Sequence, residues 1–474
     1  MQPGSRFVQW AKACAVRLSA QDWGFTLLVG ALGSVPRTFA ALYFAREPVW
    51  DAHYYHFGAQ RIAQGLGYSD DILVGGVPVW HPWCHYPVGY SAVLGAVYRV
   101  FGSGQIVGPL LNVVIGTLTI VAAHRLARQF LSSTRSRWAA ALTALHPGLI
   151  AYSAVLMTEP LAALSLLVVG LCAFTGSPRW RDGLTGLGIG LAALVRPPSL
   201  LALPVLLFAR ARPYRQALLA TTITGVIAFA TLAPWTIRNC RVMDGCALIS
   251  TNGGWNLAIG ALTPTGRFHT LRAEDGCRIV TGQVQQDRCW ARVARETIVA
   301  DPLRWIAKIP LKLQNTFNHE SFPIAYLAEA DPAAWRGERQ VWGRILLTTF
   351  HHLLLVAATL AVFVRPRDTH DRRIFAAQLA PVLVLIGFVA HGVLSEEPAL
   401  YWLAPLMVVF SVLPWPGTAP RSAVERYLFG TVAATALTSM IFFGEDRYHM
   451  VVSPILCVLA AAALRPPCGS PRSA

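Results

Sequence analysis

The sequence is short of charge. Only 14% of its 474 residues are Asp, Glu, Lys or Arg, while 54% are hydrophobic. A water-soluble surface needs more charged side chains than that, which argues against a soluble protein of two or three domains. Acidic residues are the scarcer sign, 24 against 40 basic ones, for a net charge of +16. Such an excess suits nucleic acid only when it forms a continuous basic surface. Here the arginines stand in short clusters between apolar runs, as on the cytoplasmic side of a membrane protein, so no nucleic-acid partner is expected. No cleavable signal peptide is expected either: residues 1–22 are polar and basic, and the next run, Gly24–Phe44, is too long for a signal h-region. Internal repeats, including the inverted repeats of many transporters, are missing. Gly253-Gly254, within Ser250–Asn256, lacks the Lys-Ser ending of a nucleotide P-loop and reads as a structural turn at the edge of a cleft.

Long apolar runs are what the chain has instead. Gly24–Phe44 would rise about 32 Å as a helix, enough for a hydrocarbon core of about 30 Å. Eleven more runs follow: Gln105–Ala123, Trp138–Met157, Leu161–Thr175, Gly183–Val195, Pro197–Phe208, Ala217–Trp235, Ile345–Val364, Ile374–Leu394, Ala399–Leu413, Tyr427–Phe443 and Met450–Leu464. The expected fold is an all-α polytopic membrane protein of about twelve transmembrane helices. Proline disfavours helix at the residue before it, so Arg196, followed by Pro197-Pro198, should break one apolar stretch into two short spans. Val88–Phe101 is too short to cross, at about 21 Å, and carries Tyr90, Tyr98 and Arg99; it is expected to lie along the interface. Arginine clusters at 125–137, 179–181, 210–215, 365–373, 421–426 and 465–472 then all fall on one side, with both termini cytoplasmic. The implied division is 1–236, a catalytic transmembrane module with an outer loop at 45–104; 237–343, an outer domain; and 344–474, a second transmembrane module.

Cys240, Cys246, Cys277 and Cys289 lie in the outer domain. In an oxidising compartment they would form two disulfides, and spacing leaves three pairings open; Cys240–Cys246 with Cys277–Cys289 is the expected one. In the first outer loop, Tyr55, Ala59, Ile62 and Leu66 recur at helical spacing, with His53, His56, Gln60 and Gln64 opposite and Gly65 and Gly67 closing the helix. Asp51 opens it, either as an N-cap or as a carboxylate held beside the membrane to act as a base. His53, His56, His81 and His85 show no strong ligand spacing. No metal ligand is therefore assigned, and the sequence requires no cofactor, although a divalent metal stays open.

Several segments together resemble the GT-C class of polytopic glycosyltransferases. These are Asp51-Ala52-His53-Tyr54-Tyr55-His56 running to Gly65-Leu66-Gly67-Tyr68, then Tyr86-Pro87-Val88-Gly89-Tyr90 followed by Phe101-Gly102, and Thr158-Glu159-Pro160. Gly186–Arg196, Pro234–Asn239, Ser250–Leu257 and Arg447-Tyr448-His449 continue the series in order. The resemblance is to bacterial lipid-carrier-dependent transferases, and more distantly to protein O-mannosyltransferases and the lipid A aminoarabinose transferase. It implies a polyprenyl-phosphate-linked sugar as donor and a hydroxyl on a lipid, glycan or protein as acceptor. It also implies transfer with inversion on the extracytoplasmic side of the cell membrane. Many members carry a second acidic residue after the first; here it is Ala52, which leaves Asp51 alone.

The resemblance implies Asp51 as base and Arg196 on the lipid phosphate. The chemistry agrees, because a departing phosphate needs positive charge and an acceptor hydroxyl needs a base. Arginine is costly inside a bilayer and marks function there. Arg447 and His85 are further candidates for the phosphate, Glu159 for catalysis, and Tyr55, Tyr90, Asn252 and His449 for the cleft. Arg37, in the first span, either faces the bundle or pairs structurally. A transporter or lipid flippase, or an O-antigen ligase or polymerase, is the competing reading.

Overall fold

The computed structural model describes residues 4–177, 179–210, 213–278, 282–363, 401–410 and 421–463, with a few helical positions between 376 and 387. The chain is mostly helical. Four helices among the described residues are long and apolar enough to cross a bilayer: Trp23–Phe44, Val107–Ala127, Tyr214–Val242 and Glu338–Ala361. Glu159–Thr175 and Pro197–Ala209 are shorter apolar helices. Helices of this length and composition make it a multi-pass membrane protein. Exposed Leu27, Leu28, Leu32, Phe39, Leu219 and Val226 on two of them present an apolar outer face. The expected run Ile374–Leu394, apart from the few positions between 376 and 387, and residues 399–400 and 411–413 of Ala399–Leu413 lie outside the described residues; the rest of the latter run holds the helix Leu403–Phe410.

Trp138–Met157 is not one helix. Ser133–Leu145 ends at His146, whose backbone is extended (φ −62°, ψ 111°), and a short helix, Pro147–Ala151, follows. Pro147 is the cause, since it crowds the residue before it out of the helical region. The same logic operates as expected at Arg196 (φ −144°, ψ 112°), between Arg181–Val195 and the 3₁₀ turn Pro197–Leu201.

The all-α expectation also needs correcting. Ser69–Val74 and Val77–Pro82 form an antiparallel hairpin, with Val74 paired to Val77. Gly75 (φ 59°) and Gly76 (φ 85°) make the two-residue turn. A turn with positive φ at both central residues suits the twist of a hairpin, and only glycine takes it without strain.

Two helices carry the segment 45–104. Asp51–Ala63 buries Ala52, Tyr55, Gly58 and Ala59; it stops before Gly65 (φ 83°), and Leu66, expected on the apolar stripe, is exposed. Gly89–Phe101 buries Tyr90, Leu94 and Tyr98 against it. A Cβ at Gly89 would lie 2.6 Å from the Leu194 carbonyl and the Val195 nitrogen. That contact seats the loop against the helix that ends at Arg196. Gly89→Ala is therefore expected to lower stability by about 1–3 kcal/mol, read as a lower Tm in detergent.

Cys240–Cys246 and Cys277–Cys289 are the disulfides. The second staples the 253–300 part of segment 237–343, where Trp290 is buried with Ile259 and Leu271 and against Phe443 from later in the chain. Arg37 is fully buried and faces inward, donating to the Gly33, Thr143 and Ala144 carbonyls at 2.8–2.9 Å.

Candidate active site

A cavity of about 540 Å³ lies between the segment 45–104, the Arg196 break and the last described helices. Asp51, Tyr55, His85, Glu159, Arg196, Asn252 and Arg447 all line it, although they come from widely separated parts of the chain. Tyr90 and His449 do not. Tyr90 is fully buried and donates to Asn112 Oδ1 at 3.0 Å, because the buried stripe of its helix faces the protein core. His449 points away from the cavity, into a buried cluster around Glu320.

Asp51 is not a cap. The helix begins at Asp51 itself, Trp50 holds the cap position, and no side chain caps the helix there. One carboxylate oxygen accepts from the Tyr86 hydroxyl at 2.7 Å, the other from Arg447 Nη1 at 2.5 Å. Trp50 has φ 52° and ψ −135°, the only positive φ outside glycine among the described residues. Such a backbone costs about 1–3 kcal/mol and persists only where surroundings enforce it. The Trp50 ring packs on Phe322 and Tyr326, and the Tyr326 hydroxyl accepts from Val49 N–H at 3.3 Å. This bend at Trp50 lies directly before the carboxylate that faces the cavity.

Burial alone would push the Asp51 carboxyl up. The charge and hydrogen bond of Arg447, with those of Tyr86 and nearby His85, outweigh it and hold Asp51 below its ordinary 3.8. Arg447 also bonds Glu445 at 2.5 Å. Glu445 moves the other way: burial pushes its carboxyl above the ordinary value despite Arg447. Arg447 itself, buried between two carboxylates, is held firmly charged, as their attraction exceeds the cost of burial. His85 is pushed down to about 4 by burial, so it is neutral at pH 7 and offers hydrogen bonds rather than charge. It sits edge-on to Tyr86 and Trp255.

A second cation–carboxylate pair faces the first across Tyr448. Arg196 Nη1 meets Glu159 Oε1 at 2.7 Å and Thr158 Oγ1 at 3.3 Å. Its guanidinium lies 5.2 Å from the Tyr448 ring centre, and that of Arg447 lies 5.4 Å away. Both guanidiniums thus stack on one aromatic ring, an arrangement that favours cations. Much of the remaining lining is apolar, with Val195, Leu200, Leu201, Val205, Leu437 and Ile441, and the hydroxyls of Thr431, Thr435 and Thr438 among them donate back to carbonyls of their own helix.

Sequence reasoning missed Tyr86, Glu445 and Tyr448 as site residues. Tyr86 and Tyr448 stood inside the quoted motifs, but nothing in their spacing signals a contact with residues so far along the chain. The first-loop histidines do not gather: His56 bonds Tyr98 at 2.7 Å, His81 bonds Asp70 at 2.7 Å, and His85 lines the cavity.

Residues 85–237 match the family model for dolichyl-phosphate-mannose-protein mannosyltransferase. No curated protein matches the chain significantly. Among solved structures, the Archaeoglobus fulgidus oligosaccharyltransferase tethered to an acceptor peptide is similar at 14% identity and a TM-score of 0.46, over 92% of this chain and 49% of that one. ArnT from Cupriavidus metallidurans bound to undecaprenyl phosphate is similar at 14% identity and a TM-score of 0.36, over 91% and 78%. The chain thus spans about half the length of the archaeal oligosaccharyltransferase. TM-scores this low fall short of a common fold. It is through the matched segment, which contains Tyr86, Glu159 and Arg196, that the chain is similar to the GT-C glycosyltransferases, the class its sequence resembles.

Proposed function

We propose that the protein transfers a sugar from a polyprenyl-phosphate donor to a hydroxyl acceptor on the outer side of the membrane. The observation that carries this reading is the cavity's pairing of two kinds of lining. Part of it holds two arginines on an aromatic ring, and much of the rest is apolar. A lipid phosphate has the same two parts. An inorganic or sugar phosphate would leave the apolar lining wet, and a neutral lipid would leave the arginines with only their own carboxylates.

In this reading the donor phosphate takes guanidinium donors from Arg196 and Arg447. The bond between the sugar's anomeric carbon and the phosphate oxygen breaks, and its electron pair leaves with the phosphate, so the arginines stabilise charge that grows during the reaction. The acceptor oxygen bonds the anomeric carbon from the opposite face, inverting it, and passes its proton to Asp51. An ion-paired Asp51 is a weak base. As Arg447 turns toward the phosphate, it loosens from Asp51 and leaves that carboxylate more basic, which couples donor arrival to base activation. Glu159 then serves to position Arg196. Twelve spans with both termini cytoplasmic, and 237–343 as an outer domain beside two transmembrane modules, belong to the same proposal.

The test is incubation of detergent-purified protein with a panel of polyprenyl-phosphate sugars and hydroxyl acceptors, followed by mass spectrometry. Release of free polyprenyl phosphate together with a new glycoside is the expected result. Movement of intact donor across sealed vesicles without a glycoside would establish a flippase instead.

A further inference from the structure

Behind the cavity wall, where His449 turns away from the cavity, four side chains meet in a dry interior. Glu320, His351, His449 and His146 are each no more than 1% exposed. They come from four places: the connection between the helices Ile309–Phe317 and Phe322–Ala330, the long helix Glu338–Phe363, the turn Tyr448–Val451, and the proline-induced break at His146. Glu320 Oε2 lies 3.4 Å from His449 Nε2, 3.9 Å from His351 Nδ1 and 3.9 Å from His146 Nε2.

The outer ring nitrogens fix where the protons are. His449 Nδ1 is 2.7 Å from the Thr316 carbonyl, and His351 Nε2 is 2.8 Å from the Phe317 carbonyl. A carbonyl can only accept, so both nitrogens carry hydrogen, and in the neutral rings the nitrogens facing Glu320 are bare lone pairs. His146 is reversed. Its Nδ1 accepts the Leu149 N–H at 3.3 Å, so its proton sits on Nε2, aimed at Glu320. His351 Nδ1 and Glu320 Oε1 are buried and have no hydrogen-bond partner. A carboxylate and the bare nitrogens of two stacked imidazoles, ring centres 4.0 Å apart, therefore face one another in a low-dielectric interior, and the nearest donor, His146 Nε2–H, stops 3.9 Å from the carboxylate. One proton would satisfy a single pair of these groups. A divalent cation would satisfy all three.

We propose that Glu320, His351 and His449 form a buried zinc site. Two imidazoles and one carboxylate are a donor set for this borderline-soft cation, with a fourth position open for a water. Tetrahedral zinc with bonds of about 2.0–2.2 Å sets its ligand atoms about 3.3 Å apart. The three ligand atoms here lie within 4.8 Å of one another and the two imidazoles are stacked at 26°, so closing on the ion takes shifts of the order of 1 Å together with a rotation of the rings that brings both planes onto it. The surroundings are those of a metal site. Backbone carbonyls orient both histidines, as outer partners commonly do, and His146 Nε2 stands 3.9 Å from the carboxylate with no hydrogen-bond partner of its own. A Cβ at Gly148 would fall 1.5 Å from Glu320 Oε1, so this glycine makes room for the carboxylate. The ion would pin the turn that carries Arg447 to the long helix and the His146 break. It lies outside the cavity and takes no part in the transfer, so it stands or fails independently of the reaction proposed above.

The experiment is metal analysis by inductively coupled plasma mass spectrometry on protein purified in detergent with Zn²⁺ and without strong chelators. The wild type is expected to hold about one zinc per chain after dialysis. Stripping it with a strong chelator should lower the melting temperature, which Zn²⁺ restores and Mg²⁺ does not. Glu320→Gln and His351→Ala, checked for monodispersity, should each lose most of the zinc. Should either variant aggregate, Co²⁺ substitution of the wild type replaces that measurement, and visible d–d bands are the expected result. A monodisperse wild type without zinc, and with no response to it, would overturn the proposal and leave a proton in the cluster. Undiminished zinc in folded variants, or no Co²⁺ bands, would overturn it as well.

Discussion

Asp51→Asn is expected to slow turnover by about 10²–10⁴-fold while leaving donor affinity within a few-fold. The amide is nearly isosteric and keeps an oxygen for the Tyr86 hydroxyl, which donates to Asp51 at 2.7 Å. Arg447 retains Glu445 as a partner, so the turn that carries it stays anchored. What the variant loses is the capacity to take a proton and the bond from Arg447, because its amide nitrogen is a donor facing another donor. Release of polyprenyl phosphate in a single turnover, with donor and acceptor both saturating, separates this from a binding defect. A folded variant of full activity would remove Asp51 from the mechanism. The acid limb of the wild-type profile carries a second reading. Asp51 is depressed, so in the resting enzyme it stays charged down to its ordinary value of 3.8 and below. The stability its ion pair contributes is present above the unfolded value and is lost as pH falls through the depressed one. An acid limb of kcat/KM above that range, which reports the free enzyme, is assigned to Glu445, whose carboxyl burial has raised. Glu445→Gln should shift such a limb, while Asp51→Asn should lower the plateau.

Arg196→Ala should damage the protein twice. Glu159 is buried, its side chain 2% exposed, and Arg196 is its only cationic partner among the described residues. Removing the guanidinium strands a carboxylate in the interior, a change that costs about 3–5 kcal/mol. Donor binding should fall as well, because one of the two guanidiniums on the Tyr448 ring is gone. The two effects are separable. Pairing Arg196→Ala with Glu159→Gln removes the stranded charge, so melting temperature should recover while donor affinity does not. A double variant that binds donor like the wild type would exclude Arg196 from the phosphate site. Arg196→Lys keeps charge but loses the planar fork, and should bind donor with intermediate affinity.

What was legible in the sequence was local. The stripe of Tyr55 and Ala59 announced a helix, and Pro197 announced the break at Arg196, whose N–H makes the last bond of its helix, to the Ala192 carbonyl. The hairpin had its signal too, since Val74-Gly75-Gly76-Val77 is a two-glycine turn between valines, yet its strands are too polar and short to stand out beside apolar spans. The break at His146 was hidden because the residues on both sides of it are apolar, so hydropathy runs on through a backbone that does not. Direction was harder than position. Arg447 and His449 stand two residues apart at the start of a 3₁₀ turn, where each residue advances about 120°, so they face different sides. Sequence proximity suggested one site for both; the turn sends Arg447 to the cavity and His449 to Glu320. The partners of Asp51 were beyond reach for a simpler reason. A span count says which side of the membrane a residue is on, but not which helices stand next to each other.

The bond between Arg447 and Asp51 joins residues 396 positions apart. During synthesis at about 5–20 residues per second, roughly 20–80 s separate the emergence of these two residues. Throughout that interval Asp51 exists without its counter-ion, beside a Tyr86 already made. On the function proposed above, donor lipid in the same membrane would therefore meet no competent site on a growing chain. Competence arrives with the penultimate turn, and the loop that holds the carboxylate is the first part of the site made and the last to be locked.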